Sequence, residues 1–478
     1  MRTTNNGVDS IHNEDTMTRH SLFITPFLFM ALGQCAFSQG TAVPVDVRAR
    51  GAKGDGVTDD TQAVQLAIET CGDAGGGRVL FPNGRYLCGS VRLRSNVELH
   101  LAKGARVIGT TDLDAYLGFK SGDWGKSRWN RGLIVGEGLE NIAITGKGMI
   151  DGNKVFDPKG EARMRGPHTI LLSDCRNVTL EGVTIRDSAN YAFFFYASKK
   201  VRVRNATFEG GWDGVHFRGN LDRWNQDVRI TDCRFFTGDD CIAGHYIKDG
   251  VVESCVINSS CNGVRLIGPA QGLTFKHCRF EGPGKFEHRT PQNLHRTNML
   301  AGILLQPSAW TPTPGPLEDV LISDITMRNV ACALHVSIRE GNTADRLTFE
   351  NITATDVYSS AVSFESWIDK PIGEVAVREM NVEYTPNAVI DPRLGKKPVV
   401  QDPIRKPGVG VWNRKLPVWG IYGRHIEHLH LDRVTLKTSD QKDARPVILA
   451  EDVRELTVDD LSHSPLPSDA KAVARRSR

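Results

Sequence analysis

Two short stretches place acids where they could do chemistry. One is Gly211-Trp212-Asp213-Gly214-Val215 and the other is Thr237-Gly238-Asp239-Asp240-Cys241-Ile242. Asp213 and Asp239 are 26 residues apart, and Asn262, with Arg265 just after it, lies 23 residues beyond Asp239. If one turn of a repeating chain takes about that many residues, all these groups share one face. Like charges one turn apart repel and raise each other's pKa. That is a poor structural choice but a useful catalytic one. One carboxyl can stay protonated as an acid while another stays ionised as a base. An aspartate ladder capping turns, or a calcium site, is the bland alternative. The glycines beside both acidic stretches favour close approach of a ligand instead. His216 and His245 lie just beyond the acids and are candidates to support them.

The elements that must position these residues form a repeat. Short runs of β-formers recur, usually with Asp, Asn or Cys at the centre: Leu171–Cys175, Val201–Asn205, Val228–Cys233, Val251–Cys255, Leu273–Cys278, Val320–Met327, Leu347–Asn351, Val375–Val382 and Leu429–Leu436. Cys233, Cys255 and Cys278 are spaced by 22 and 23 residues, one turn of a parallel β-helix. Inward side chains then form ladders along the axis, so Cys175, Cys233, Cys255 and Cys278 read as a buried stack of small apolar groups. Cys71 and Cys88 are plausible disulfide partners. The expected fold is all-β: a single right-handed parallel β-helix with a short N-terminal capping helix. Asp59, Asp60 and Thr61 precede Ala63, Val64, Ala67 and Ile68 at helical spacing. That helix covers the open end of the stack, where strand edges are otherwise bare.

The chain divides as residues 1–38, an N-terminal extension and signal peptide; 45–460, the β-helix carrying the catalytic face; and 461–478, a disordered tail. The basic start near Met17, the apolar Leu22–Leu32 and the small residues at Ala36–Ser38 fit a signal peptide and predict a secreted or periplasmic protein. Lipid attachment at Cys35 is the lesser alternative. Residues 286–316 are a Pro- and His-rich insertion long enough to overhang a cleft, and the chain after Pro386 is irregular until His425. Lys and Arg total 59 against 56 for Asp and Glu, a net charge of +3. That balance gives no electrostatic case for nucleic acid or a membrane surface. A monomer without cofactor or metal is expected.

These residues resemble glycoside hydrolase family 28, the polygalacturonase-type enzymes. The similarity runs from about Val45 to Val458. The Gly51–Thr61 opening, Gly75–Pro82 and Ser95–Leu101 are typical of β-helix enzymes of this kind, and Gly238-Asp239-Asp240 is the sharper marker. The family's Asn-Thr-Asp motif corresponds to Gly211-Trp212-Asp213, keeping only the aspartate. The resemblance implies an inverting hydrolase of pectin-like or other plant or algal polysaccharides, with Asp239 as general acid and Asp213 and Asp240 activating water. Adjacent rungs suggest a shorter carboxyl separation than inverting enzymes usually show. Two departures stand out. The family's Gly-His-Gly falls on Cys261-Asn262-Gly263, so an amide replaces the supporting histidine. Its uronate-gripping Arg-Ile-Lys falls on Gly302–Gln306, which has no cation, and Arg265 could supply one.

Asn262, Arg265, His245, His216 and Trp212 are therefore the candidate substrate-binding residues. Trp224, Trp310 and Trp367 are further aromatic surfaces for sugar rings. Glu365 is a candidate cleft wall, and Arg289, His295 and Arg296 are candidate contacts from the insertion. The competing readings are a calcium-dependent polysaccharide lyase and a non-catalytic carbohydrate-binding β-helix on the same fold.

Overall fold

A computed structural model describes residues 43–120, 129–288, 296–386, 416–468 and 470–477. The expected signal peptide, Cys35, Arg289 and His295 lie outside the described residues.

The described chain is a right-handed parallel β-helix built as one 32-stranded sheet. Successive turns pair in parallel, and through the central turns the register runs without a shift. Ile170↔Phe193, Phe193↔Val215, Val215↔Ile242, Ile242↔Val264 and Val264↔Ile303 follow one inward column through six turns. Those side chains are all buried. The period of two along each strand makes such a column continuous, because a one-residue slip would turn it to solvent.

The corners explain the recurrent Asp and Asn. Asp174, Asp232, Ser254, His277 and Asn351 have φ of 56°, 55°, 55°, 54° and 49°. This left-handed conformation turns the chain between strands, and Asn and Asp adopt it at least cost. The residue that follows points inward: Cys175, Cys233, Cys255, Cys278 and Ile352 are each no more than 2% exposed. The cysteine stack is thus buried as expected, and each Sγ–H donates to the carbonyl two residues back, as in Cys233 to Thr231 at 3.2 Å and Cys255 to Glu253 at 3.3 Å. At another corner Asn177 donates to Asn141, and Asn141 to Asn96, each at 2.8 Å.

The capping helix spans Thr61–Asp73 and buries Val64, Ala67, Ile68 and Cys71. The Asp59 carboxylate accepts from the Thr61 N–H, while Asp60 is turned away to accept from the N–H groups of Lys53 and Gly54.

Four expectations need correction. Cys71 and Cys88 are both free thiols, each packed in the core rather than against the other. Within the 286–316 segment, Met299–Leu305 is a fully buried rung of the sheet, so the segment is not one uninterrupted insertion. The strand Ile421–Thr438 begins before His425. The tail is not without structure: Val473–Arg476 pairs in parallel with Ile448–Glu451 and adds a final rung.

Candidate active site

The pairing places the acids. Val215 is opposite Ile242 and Ile242 opposite Val264. Counting back two residues, Asp213, Asp240 and Asn262 occupy successive rungs of one column. The backbone agrees, with Gly214 N–H donating to Asp240 C=O at 3.0 Å and Cys241 N–H to Asn262 C=O at 3.1 Å. The sequence spacing equated Asp213 with Asp239 and was off by one residue. Asp239 sits instead at the turn, its N–H facing the Trp212 carbonyl at 3.5 Å. The turn is tight because Gly238 passes under the preceding coil, where a Cβ would come within 2.4 Å of the Gly211 carbonyl oxygen. The Thr237 and Ser259 hydroxyls both donate to the Asp239 carbonyl at 2.7 Å and pin it.

One carboxylate oxygen from each of Asp213, Asp239 and Asp240 lies within 4.8 Å of the others. All three residues are buried, at 4%, 8% and 6% exposure. Each meets a different partner. The Oδ2 of Asp213 bonds His216 Nδ1 at 2.7 Å, and Arg218 Nε donates to His216 Nε2 at 3.1 Å. The arginine fixes the tautomer, so Nδ1–H points at Asp213. The ring also stacks on Tyr191 with centroids 3.9 Å apart. Burial, with Arg218 beside it, drives His216 well below its usual pKa, so it stays neutral. The Oδ1 of Asp240 accepts from Asn262 Nδ2 at 2.7 Å and from Asn262 N–H at 3.2 Å. The amide at Asn262 therefore orients an acid of the cluster.

Asp239 has partners that were not anticipated. Arg165 Nη2 lies 2.6 Å from its Oδ2, and His288 Nε2 lies 3.4 Å from its Oδ1. Neither residue stands near the acidic stretches in sequence. Trp212 was expected to offer a sugar platform, but it is 1% exposed, with the Arg165 guanidinium 3.9 Å from its ring centroid. Its work is to support that arginine.

The environments split the three acids. Burial, and then the charges of Asp239 and Asp240, push Asp213 well above the carboxylate range. Burial and Asp239 push Asp240 up to about 6. Burial opposes ionisation of Asp239 too, but His288 and Arg165 outweigh it and hold the group well below the ordinary value. Burial also drives His288 toward its neutral form, which leaves Arg165 as the charged partner. A buried cluster with one firmly ionised carboxylate and two of raised proton affinity is equipped for proton transfer.

The remaining candidates lie around this centre. Arg265 is on the rung after Ala243, which itself follows His216. Its charge acts on Asp240, and its guanidinium lies 5.1 Å from the ring centroid of Trp310, which is 64% exposed. Arg339 is close enough that burial and the Arg265 charge lower its pKa. His245 is pushed down to about 3 by burial and Arg218, and makes no hydrogen bond to the acids among the described residues. Glu365 is fully buried and accepts from Trp367 Nε1 at 2.8 Å, so it belongs to a packed polar cluster four rungs away. Trp224 is half-buried on the flank and donates to the Leu221 carbonyl at 2.9 Å. Arg296 Nε donates to the Ser260 carbonyl at 3.2 Å.

The three acids, like the overlapping group of Asp239, Cys261 and His288, lie close enough together to hold a cation. Their present partners argue for proton chemistry. Asp213 receives a histidine N–H, Asp240 an amide and Asp239 a guanidinium, whereas calcium needs six to eight oxygens free to turn toward it.

Comparison with known proteins bears on the fold and the family this chain resembles. Residues 44–265 match the family model described as rhamnogalacturonase A/epimerase, pectate lyase-like. An exopolygalacturonase of Zea mays is 23% identical over 373 residues, which cover 73% of this chain and 86% of the maize protein. The family 28 exopolygalacturonase structure from Yersinia enterocolitica superposes with a TM-score of 0.52 at 18% identity, covering 91% of this chain and 79% of that one. PfbA, a surface adhesin of Streptococcus pneumoniae, gives 0.55 at 18% identity, covering 90% and 93%. At such identities the two structures attest to the fold alone.

Proposed function

We propose that this chain, a β-helical relative of the polygalacturonase-type glycoside hydrolases, cleaves glycosidic bonds in pectin-like polysaccharides with Asp213, Asp239 and Asp240. The observation that carries this reading is the split cluster: three buried carboxyl groups within 4.8 Å, one held ionised and two with raised proton affinity. Glycoside hydrolysis needs one group to protonate the leaving oxygen and another to manage water. The maize relative, named an exopolygalacturonase, directs attention to galacturonans and to attack from a chain end.

Arg265, with Arg339 beside it and Trp310 exposed alongside, supports an acidic sugar next to Asp240. It stands in for the cation that the Gly302–Gln306 coil lacks. Arg265→Gln should raise KM for a carboxylated substrate by roughly tenfold or more, since a charge-assisted hydrogen bond contributes about 1.5–3 kcal/mol. The same variant should leave KM for neutral-sugar substrates little changed, while its effect through Asp240 falls on kcat for both. An equal rise in KM on both would contradict this role.

Inversion of the anomeric centre is carried over from the resemblance. The acids sit closer together than the separation of about 6.5–9.5 Å usual for inverting pairs. Proton NMR of the first anomer released decides it. Export and a monomeric state complete the reading.

The direct test is incubation with polygalacturonate, rhamnogalacturonan and algal polysaccharides, with products resolved by mass spectrometry. New reducing ends, formed in the presence of chelator and without ultraviolet-absorbing unsaturated ends, are the expected result. Unsaturated products that disappear with chelator would establish a lyase. Binding without turnover on every polymer would establish a carbohydrate-binding protein.

A further inference from the structure

We propose that Asp239, Cys261 and His288 form a binding site for a zinc-type divalent cation, and that a cation held there takes Asp239 out of the acid cluster. The second half rests on the hydrolase reading; the site itself does not.

Cys261 breaks the pattern of the other cysteines on the repeat. Each stacked cysteine gives its Sγ–H to the carbonyl two residues back. Cys261 stands just before the strand Asn262–Leu266 and is turned the other way. Its thiol donates to the Asp239 carboxylate, and its Sγ accepts from Asn262 Nδ2 at 3.3 Å. One donor atom from each of Asp239, Cys261 and His288 lies within 4.8 Å of the other two. No other cysteine belongs to such a group among the described residues.

Each ligand is fixed by its own neighbours. Cys261 N–H donates to the Ser259 hydroxyl at 2.7 Å, and the Cys261 carbonyl accepts from Leu300 N–H at 2.5 Å. Arg165 holds Oδ2 of Asp239 and leaves Oδ1 facing His288. The His288 N–H donates to the Arg296 carbonyl at 2.9 Å, and its ring meets Trp212 edge-on with centroids 5.8 Å apart. Burial keeps that ring neutral, the form in which an imidazole nitrogen binds a metal. Asp239 is the most open of the three, so the cation enters past it.

The donor set selects the cation. Sulfur, nitrogen and one carboxylate oxygen suit zinc, which accepts three protein ligands and keeps a fourth position open; calcium and magnesium take oxygen. Two ligands about 2.1 Å from one tetrahedral zinc stand roughly 3.4 Å apart. His288 Nε2 and Asp239 Oδ1 are separated by 3.4 Å, which is long for a hydrogen bond. Arg165 on Oδ2 and Asn262 on Sγ are the outer partners that orient the carboxylate and steady a thiolate. On binding, the Sγ–H proton leaves to solvent and the sulfur bonds the metal as thiolate. Both oxygens of Asp239 are then engaged, and the group no longer exchanges a proton with a glycosidic oxygen.

The probe is cobalt(II), which occupies zinc sites and reports its ligands by colour. Titration of the intact protein should saturate at a single equivalent, with a thiolate-to-cobalt charge-transfer band in the near ultraviolet that zinc abolishes. Cys261→Ser should remove the band. His288→Gln, outside the paired rungs, should weaken binding by roughly tenfold or more. Absence of binding, or a band that survives Cys261→Ser, overturns the site. The activity arm adds zinc to whichever polymer the native protein cuts. Inhibition that a chelator reverses, and that weakens by roughly tenfold or more in both variants, is the expected result. Cobalt bound through Cys261 with no loss of cutting overturns the second half. A protein that shows the band and cuts no polymer counts against the hydrolase reading and leaves the site standing.

Discussion

At the residue scale, the site works through unequal neighbours of equal acids. His216 illustrates this. Held by Arg218 on one nitrogen and stacked on Tyr191, it can only donate to Asp213. His216→Phe keeps the stack but removes that bond. The expected result is a fall in kcat of about fivefold or more with little change in KM, since leaving a buried polar group without its partner costs about 1–3 kcal/mol. A change in KM alone would make His216 a binding residue. Asp240 supplies a pH prediction. Its carboxyl is raised to about 6, so the folded state holds the proton more tightly than the unfolded chain. The stability this gives is complete below the unfolded value and is lost as pH rises through about 6. Asp240→Asn should lessen the loss of melting temperature across that interval, as calorimetry can read. Asp213, Asp239, Asp240 and Asn262 were legible from glycine-flanked acids at one-turn spacing. Arg165 and His288 were not. They reach Asp239 from separate loops, and no periodicity ties a loop residue to a rung 74 residues away.

At the element scale, the corners and the cap do the positioning. Asn351 turns the chain at φ 49° ahead of buried Ile352. Asn351→Gly should be nearly neutral, whereas Asn351→Val should cost about 1–2 kcal/mol, because a β-branched side chain clashes in this conformation. Denaturant unfolding of the two variants gives the comparison, and equal stability would contradict the account of the corners. In the cap, Ile68 is fully buried against the first rungs, so Ile68→Ala should cost about 2–5 kcal/mol. Helix and corners were both readable, the first from apolar spacing and the second from recurring Asp and Asn. The one-residue error at Asp239 arose because the paired rungs are 27 residues apart, as in Gly210↔Thr237 and Val215↔Ile242, the added length falling in the loop between Arg218 and Gln226, and spacing alone does not assign that length.

At the scale of the whole molecule, a solenoid puts distant sequence on one face with no long-range signal beyond its period. The period was clear enough to give the fold. The last rung was hidden because Val473–Arg476 is short, basic and follows a polar stretch. The same logic makes the site a property of register: moving one coil by one residue would take Asp240 out of line with Asp213 and Asn262 on the neighbouring rungs. Bond cleavage therefore depends on the acids acting together. The most direct measurement is the rate of reducing-end release by Asp239→Asn on whichever polymer the native protein cuts, with circular dichroism to confirm the β-helix. A fall of about 10²-fold or more in a folded protein is the predicted result. Activity within a few-fold of native would show that the aspartate cluster is not where the bond is broken.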